Sequence, residues 1–376
     1  MTNNYSQPVN QDSAGTMKPV PRLKGGLPIL GHALEFGRDP LTLLTQGYEQ
    51  HGELFKFQMA GRDFHLFAGP EAHDSFFRAP ETQLSAREVY KFTVPIFGKG
   101  VAYDVEPERM AEQLGFLFPS LREGEMQRYA SIMQQETQQF ISKWDSEKII
   151  DLPEMTNELT VNIASQCLLG EEIRSRLDGE FAALFHDLQG GINTFGFFAP
   201  YLPTPRHRRR DRARREISRL VSDILDVRRQ PGHEAKDFMQ ALINARYKDG
   251  GKLSDDEIAG LLLTVLFAGQ HTSSVLAAWT LIELVKHPDY MKRVRQEIHD
   301  VYGSDQKLTL DNLKQQQILE RAVRECERMH PPLIILIRQV NRDLSYGPYV
   351  IPAGQIAAVS PLLSHRLENV FKEPER

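Results

Sequence analysis

Cysteine is almost missing from this chain. Its two residues, Cys167 and Cys326, lie far apart, and neither belongs to a C-x-x-C pair. That excludes a disulfide-stapled scaffold and a cysteine zinc ribbon, and it suits a reducing compartment. The sequence also lacks H-E-x-x-H, a G-x-G-x-x-G after a strand, a P-loop and a G-x-S-x-G. Metal-hydrolase and nucleotide-binding readings therefore have nothing to rest on. Positive charge is not in excess: 45 Lys and Arg stand against 50 Asp and Glu, a net charge of −5, which argues against a general nucleic-acid binder. The apolar stretch Ile258 to Ala268 falls short of the ~20 residues that a membrane span needs. Met1 to Thr16 is polar, with neither a signal-peptide core nor an anchor, and reads as a disordered tail. The expectation is a soluble cytoplasmic protein with no transmembrane segment and no nucleic-acid partner, peripheral membrane contact being left open. What is present is ordinary globular material: 376 residues, 41% hydrophobic and 25% charged. That is enough for two average domains or one large one.

Order begins in the Pro-Gly punctuated segment Lys18 to Gly31. A helix runs from Asp39-Pro40 to Gly52 with Leu41, Leu44 and Tyr48 on one face. Leu54 to Met59 and Phe64 to Ala68 alternate as a hairpin around Ala60-Gly61-Arg62-Asp63, and Pro70 to Arg78 reads as a short helix. From Glu106 onward the patterning predicts helices over 108–118, 123–144, 153–169, 175–191, 208–229, 235–248, 255–286, 288–302, 309–315 and 317–329. Strand character returns at Leu333 to Gln339, Asp343 to Tyr346, Tyr349 to Ile351 and Gln355 to Val359. No internal repeat or low-complexity linker divides the chain. The predicted fold class is mainly α with a small β region formed from both ends: a tail over 1–16, then one domain over 17–376.

Three segments carry chemistry. The first is the helix over 255–286. Ser254 and Glu257 have the spacing of a capping box, and His287-Pro288 ends the run. The helix is apolar on nearly every face, yet its midpoint reads Ala268-Gly269-Gln270-His271-Thr272-Ser273-Ser274. A buried polar group left unpaired costs ~1–3 kcal/mol. The interruption is therefore a kink stitched by Ser and Thr bonding back one turn, or a site that uses these groups. The second segment is Arg324 to Leu333. Glu325 and Arg328 share a helix face, the helix stops at His330-Pro331-Pro332, and an apolar strand from Leu333 to Ile337 leads to Arg338. An E-x-x-R pair alone carries little information; its context does. In the third, Tyr90 to Asp104, the aromatics Tyr90, Phe92, Phe97 and Tyr103 interleave with Gly and Pro. It reads as a loop, rather than a helix, that lines something apolar or plugs a core. Apart from these, seven arginines between Arg206 and Arg215 read as a solvated helix face or as a docking surface for an acidic partner or lipid headgroups.

Taken in chain order, aromatic segment first, then the long helix, then E-x-x-R with H-P-P-L and the strand arginine, the three segments resemble the cytochrome P-450 heme-thiolate monooxygenases and, in detail, the sterol 14α-demethylases. The resemblance rests on Y-x-F-x-x-P-x-F-G-x-G-V-x-Y-D at Tyr90 to Asp104 and A-G-x-H-T-S-S at Ala268 to Ser274. His271 stands where most heme-thiolate enzymes carry an acid. The match runs from Lys18 to the last residue. It implies the cytochrome P-450 fold and a heme. It also implies dioxygen, electrons from NAD(P)H through a ferredoxin or reductase, and a sterol that loses its 14α-methyl group by oxidation. By this resemblance Ala268 and Gly269 let a flat macrocycle approach the helix, and His271 and Thr272 relay protons. Glu325 and Arg328 are the structural ion pair behind the heme; Arg338, Tyr90 and Arg109 pair its propionates. Tyr90, Phe92, Phe97, Phe267, Ala268, His271, Leu333 and Ile335 wall an apolar sterol pocket. A related heme-thiolate enzyme acting on another steroid or lipid is the runner-up.

One family element has no counterpart. The F-x-x-G-x-x-x-C-x-G loop, whose cysteine ligates the iron, does not occur, and the sequence closes at Phe371 to Arg376 near the P-E-R-F segment that precedes that loop. Cys167 and Cys326 read as buried packing residues rather than metal ligands. The expectation is a chain without its axial ligand, inactive by itself. A non-catalytic sterol-binding fragment is the alternative of another class.

Overall fold

The computed structural model describes residues 17–144, 149–170, 174, 181–192, 196–197, 199–232, 237–303 and 307–375. The tail expected over 1–16 lies outside the described residues, as do 175–180 and 235–236 of two predicted helices. The chain divides into two compact units, Met1–Ser85 with Ile335–Lys372, and Ala86–Ile334 with Glu373–Arg376.

The first unit draws its strands from both ends of the sequence: β1 (Lys18–Pro19), β2 (Leu54–Met59), β3 (Arg62–Phe67), β4 (Leu84–Ser85), β5 (Leu336–Val340), β6 (Leu344–Tyr346), β7 (Tyr349–Ile351) and β8 (Ile356–Val359). They form a five-stranded sheet in the order β2-β3-β8-β5-β4 and a three-stranded sheet in the order β1-β7-β6. The β2–β3 turn is tighter than predicted. Ala60 and Gly61 alone make it, at φ 46° and 78°, the left-handed pair of a type I′ hairpin, so Arg62 and Asp63 belong to β3. β8 is parallel to β3, with Phe64 opposite Ile356, and antiparallel to β5. Covered on both sides in the sheet, β8 is buried at every residue, which is why Ile-Ala-Ala-Val reads as a continuous apolar run. Phe67, Phe76, Leu84, Val340 and Val359 form the core of this unit. Its helices are α1 (Ala33–Arg38), α2 (Pro40–His51) and α3 (Pro70–Arg78), α2 being capped by Asp39, which accepts from the Thr42 N–H at 3.1 Å.

The second unit is helical: α4 (Ala86–Tyr90), α5 (Val94–Phe97), α6 (Pro107–Gly115), α7 (Glu123–Ile141), α8 (Leu152–Ala164), α9 (Ala182–Gln189), α10 (Pro205–Arg228), α11 (Phe238–Asn244), α12 (Asp255–Lys286), α13 (Pro288–Tyr302), α14 (Leu310–Gln315) and α15 (Gln317–Met329). α12 is its spine and packs against α8, α10 and α15. The predicted capping box is formed: Ser254 Oγ accepts from the Glu257 N–H at 3.3 Å and the Glu257 carboxylate accepts from the Ser254 N–H at 2.7 Å. Leu262, Leu266 and Phe267 from α12 join Phe185, Ile217 and Leu242 in the core. Gly260 permits close approach of α5, since a Cβ there would sit 2.2 Å from the Phe97 carbonyl oxygen. Among the described residues α12 is the one helix long and apolar enough to cross a membrane by length and composition. Its N-terminal half is nonetheless buried within the protein core.

Three expectations are corrected here. The aromatic segment is not a loop but a series of short helices. Pro95 sits in the first turn of α5, where the absent N–H is not missed, and Gly98 at φ 103° stops that helix after one turn. Strand β5 begins only at Leu336, because Pro331 and Pro332 cannot donate to a ladder, so Arg338 lies at mid-strand rather than beyond its end. The arginine run is not wholly solvated. α10 starts at Pro205, and its inward face repeats through His207, Arg210, Arg214 and Ile217, leaving Arg210 and Arg214 buried.

Candidate functional site

The polar midpoint of α12 separates by direction, as residues 100° apart around an axis must. Gln270 and Ser274 share the buried side with Phe267, whereas Ala268, Gly269, His271 and Ser273 are exposed and Thr272 is half-buried. On the buried side the amides form a chain across three helices. Gln189 Nε2 on α9 donates to Gln270 Oε1 at 2.8 Å, and Gln270 Nε2 donates to Asn157 Oδ1 on α8. The hydroxyls of Ser274 and Thr156 lie 3.3 Å apart. On the open side Thr272 Oγ1 donates back to the Ala268 carbonyl at 2.8 Å. Beyond the backbone of its own helix and its two chain neighbours, no atom of the described residues lies within 4 Å of where a Gly269 Cβ would be. A flat group can thus reach the backbone at Ala268 and Gly269 without displacing anything.

The aromatic side chains of the motif pack in pairs. Phe267 meets Phe97 edge-on at 5.6 Å and Phe185 at 4.7 Å, and both Phe97 and Phe267 are buried in the core. Tyr90 stacks on Tyr103 at 5.0 Å, and Phe92 meets Phe197 at 5.2 Å. Tyr90 and Phe92 are half-buried, and Leu333 is 49% exposed. Ile335 and Arg338 belong to the first unit. There Arg338 donates to the carbonyls of Phe76 and Ala79 at 3.2 and 3.3 Å, and no carboxylate pairs with it among the described residues. Arg109 has other partners than expected. It binds Asp249 at 2.6 Å and Glu112 at 3.4 Å, and lies 3.8 Å over the Tyr247 ring.

Glu325 and Arg328 form the predicted pair, with two hydrogen bonds of 2.6 and 2.9 Å, and Arg328 Nη1 also donates to the Pro374 carbonyl at 2.7 Å. Arg328 faces inward, whereas the Glu325 side chain is 52% exposed. The sequence reading missed what lies beside this pair. His330 stacks on Trp279 at 3.8 Å and stands 3.3 Å from Glu283 Oε1. The four-residue spacing of Trp279 and Glu283 on one face of α12 was the available signal. A cavity of about 760 Å³ opens nearby, lined by Glu283, Tyr290, Arg321, Cys326 and Met329. Both cysteines are buried, and burial pushes the Cys167 thiol up to about 12 and raises that of Cys326.

The profile of the cytochrome P450 family matches residues 21–376. Sterol 14-demethylase of Arabidopsis thaliana is 37% identical over 361 residues, covering 94% of this chain and 74% of that protein. Lanosterol 14-alpha demethylase of Bos taurus is 38% identical over 359 residues, covering 95% and 72%. Sterol 14alpha-demethylase of Mycolicibacterium vanbaalenii is 37% identical over 363 residues, covering 96% and 80%. The solved structure of retinoic acid bound cyanobacterial CYP120A1 has a TM-score of 0.84 at 22% identity, over 96% of this chain and 81% of that one, a likeness of fold alone. Sequence motifs, helical architecture and relatives agree: this chain belongs to the cytochrome P450 family and, within it, to the sterol 14α-demethylases.

Proposed function

We propose that the protein acts as a heme-dependent monooxygenase that removes the 14α-methyl group of a sterol by oxidation, drawing electrons from NAD(P)H through a ferredoxin or reductase. The observation that carries this reading is the open face of α12, where Ala268, Gly269 and His271 are exposed beside the half-buried Thr272 at the middle of a core helix. That face fits a macrocycle, because a larger side chain at Ala268 or Gly269 would fill the space a flat ring needs. When bound, the heme supplies oxygen activation. The residues of this chain do the rest. Thr272 Oγ1, anchored by its bond to the Ala268 carbonyl, keeps its lone pairs free to accept a proton donor, and the exposed His271 ring can hold and pass protons beside it. Tyr90 and Phe92 offer half-buried rings to an apolar substrate. The parts given to Phe97, Phe267, Leu333, Arg338 and Ile335 rest on the motif match. Arg109, whose charge is met by Asp249 and Glu112, is the weaker candidate for a propionate.

Neither cysteine suits an axial ligand. The thiolate is the ligating form, and burial disfavours it at both positions. The 376 residues alone are therefore expected to bind heme without the electron push that this family takes from its thiolate. Two measurements on the heme-reconstituted protein test these statements. A spectral titration should show binding of a 14α-methylated sterol and weaker binding of its 14-desmethyl counterpart; equal or absent binding of both would sink the sterol assignment. The carbon-monoxide difference spectrum should lack the strongly red-shifted Soret band, whose appearance would mean that Cys167 or Cys326 ligates iron.

A further inference from the structure

The basic segment that the monooxygenase reading leaves unused builds a second site. A cavity of about 440 Å³ opens between α10, the end of α5 and the first turn of α12. Four cations line it, Lys99, Arg214, Arg215 and Arg219, against two acids, Asp211 and Asp256. The acids are already occupied: Asp211 binds the buried Arg210 guanidinium at 2.7 Å, and Asp256 lies 3.0 Å from Arg214. Arg219 is shared with Glu216 at 3.2 Å. Lys99 and Arg215 have no carboxylate partner among the described residues. Arg214 makes the wall rigid. It is 8% exposed and donates Nη2 to the carbonyls of Phe97 and Asp256 at 3.1 and 3.3 Å. Gly98 is the residue that leaves it room, since a Cβ there would lie 2.5 Å from Nη2. Yet Arg214 Nε is buried with no hydrogen-bond partner. Buried donors are nearly always paired, and none of the described residues supplies this one with an acceptor.

We propose that this cavity binds the oxyanion of a phosphate group. The lining cations exceed the lining acids by two, and a phosphate monoester carries about −1.5 to −2 at neutral pH. Its several acceptor oxygens can meet Lys99, Arg215 and Arg219 together, as charge-assisted hydrogen bonds. A single acidic side chain has too few oxygens and too little charge to satisfy all three. A soluble phosphate compound and a phospholipid headgroup present the same chemistry.

Inorganic phosphate is the first probe, titrated into the purified chain by isothermal calorimetry at constant ionic strength set with chloride. Saturable binding is expected, weakened at least tenfold in the Lys99→Ala/Arg215→Ala double variant. Both residues are exposed, so the variant should fold, as an unchanged thermal melt will check. In the second arm, wild type and variant are sedimented with phosphatidylcholine vesicles with and without phosphatidic acid. Binding of free phosphate assigns the site to a soluble ligand. Binding confined to phosphatidic acid vesicles, and lost in the variant, assigns it to a lipid headgroup. No binding in either arm, or binding that the double variant retains, overturns the proposal.

Discussion

The two sides of α12 at its midpoint are made of the same kinds of residue in opposite conditions. Gln270 and Ser274 have their hydrogen bonds completed by Gln189, Asn157 and Thr156, out of reach of solvent. One position away, His271 and Thr272 stand at an open face, and Thr272 is tied only to its own helix. A polar residue whose bonds are completed inside the protein holds helices together; one whose bonds are left open is available to a ligand. The histidines repeat the contrast. His65, buried in β3, donates to the Ile356 carbonyl at 3.3 Å, while His271 is exposed.

This contrast predicts how variants should rank in stability. The largest loss is expected for Glu325→Ala, which removes both carboxylate hydrogen bonds from the buried Arg328 guanidinium. Breaking a buried ion pair costs about 3–5 kcal/mol, and the exposure of Glu325 places this case at the low end. Urea denaturation reads it, and a loss below about 1 kcal/mol would show that the pair is a surface ornament. Next comes the pH response of His65, whose pKa burial lowers from 6.5 to about 4 in the folded state. The unfolded chain binds that proton first, so the contribution of His65 to stability is full above about pH 6.5, declines as pH falls to about 4, and is flat below. That contribution is on the order of 3 kcal/mol. His65→Gln should make the slope between about pH 6.5 and 4 shallower, the remainder falling to His73, which burial also lowers to about 4; an unchanged slope in that variant would assign the acid sensitivity elsewhere. Gln270→Leu should cost about 2 kcal/mol, because Asn157 and Gln189 each lose a partner while half-buried. Thr272→Ala should change stability by less than about 0.5 kcal/mol. Within the proposed function, once a thiolate-ligated heme is in place, its effect falls on coupling: sterol still binds, reductant is consumed, and peroxide replaces product. A Thr272→Ala variant as unstable as Gln270→Leu would erase the distinction between the two sides.

Local signals carried far in this chain. The capping box at Ser254 and the Pro at 288 fix both ends of α12, and β7 lies where alternation placed it. The motif residues of the site could likewise be picked out by spacing. Direction could not. That Gln270 points toward α8 and His271 away from it depends on where a second helix packs, information held by residues more than a hundred positions away. Arg210 and Arg214 read as solvated because a run of charge carries no mark of which members face inward. Arg328 was legible as a pairing residue, but its third bond goes to Pro374, which no local pattern indicates. The tight turn at Ala60-Gly61 was hidden for another reason: Ala at positive φ is uncommon, and only its neighbour Gly61 hints at it.

The parallel pairing of β3 with β8 also sets an order of events during synthesis. β3 finds its second neighbour only when Ile356 to Val359 emerge, roughly 290 residues and, at ~5–20 residues per second, some 15–60 s later. For that interval the β2–β3 hairpin, marginal as an isolated pair, exposes a bare edge bearing Phe64, Leu66 and Phe67. The helices encoded between the two strands have time to assemble first, since all of them are synthesised before β8. A newly made molecule is therefore most vulnerable at its beginning, and a chaperone that shields the hairpin on the ribosome would act on the part of the protein that is oldest in synthesis and last to be completed.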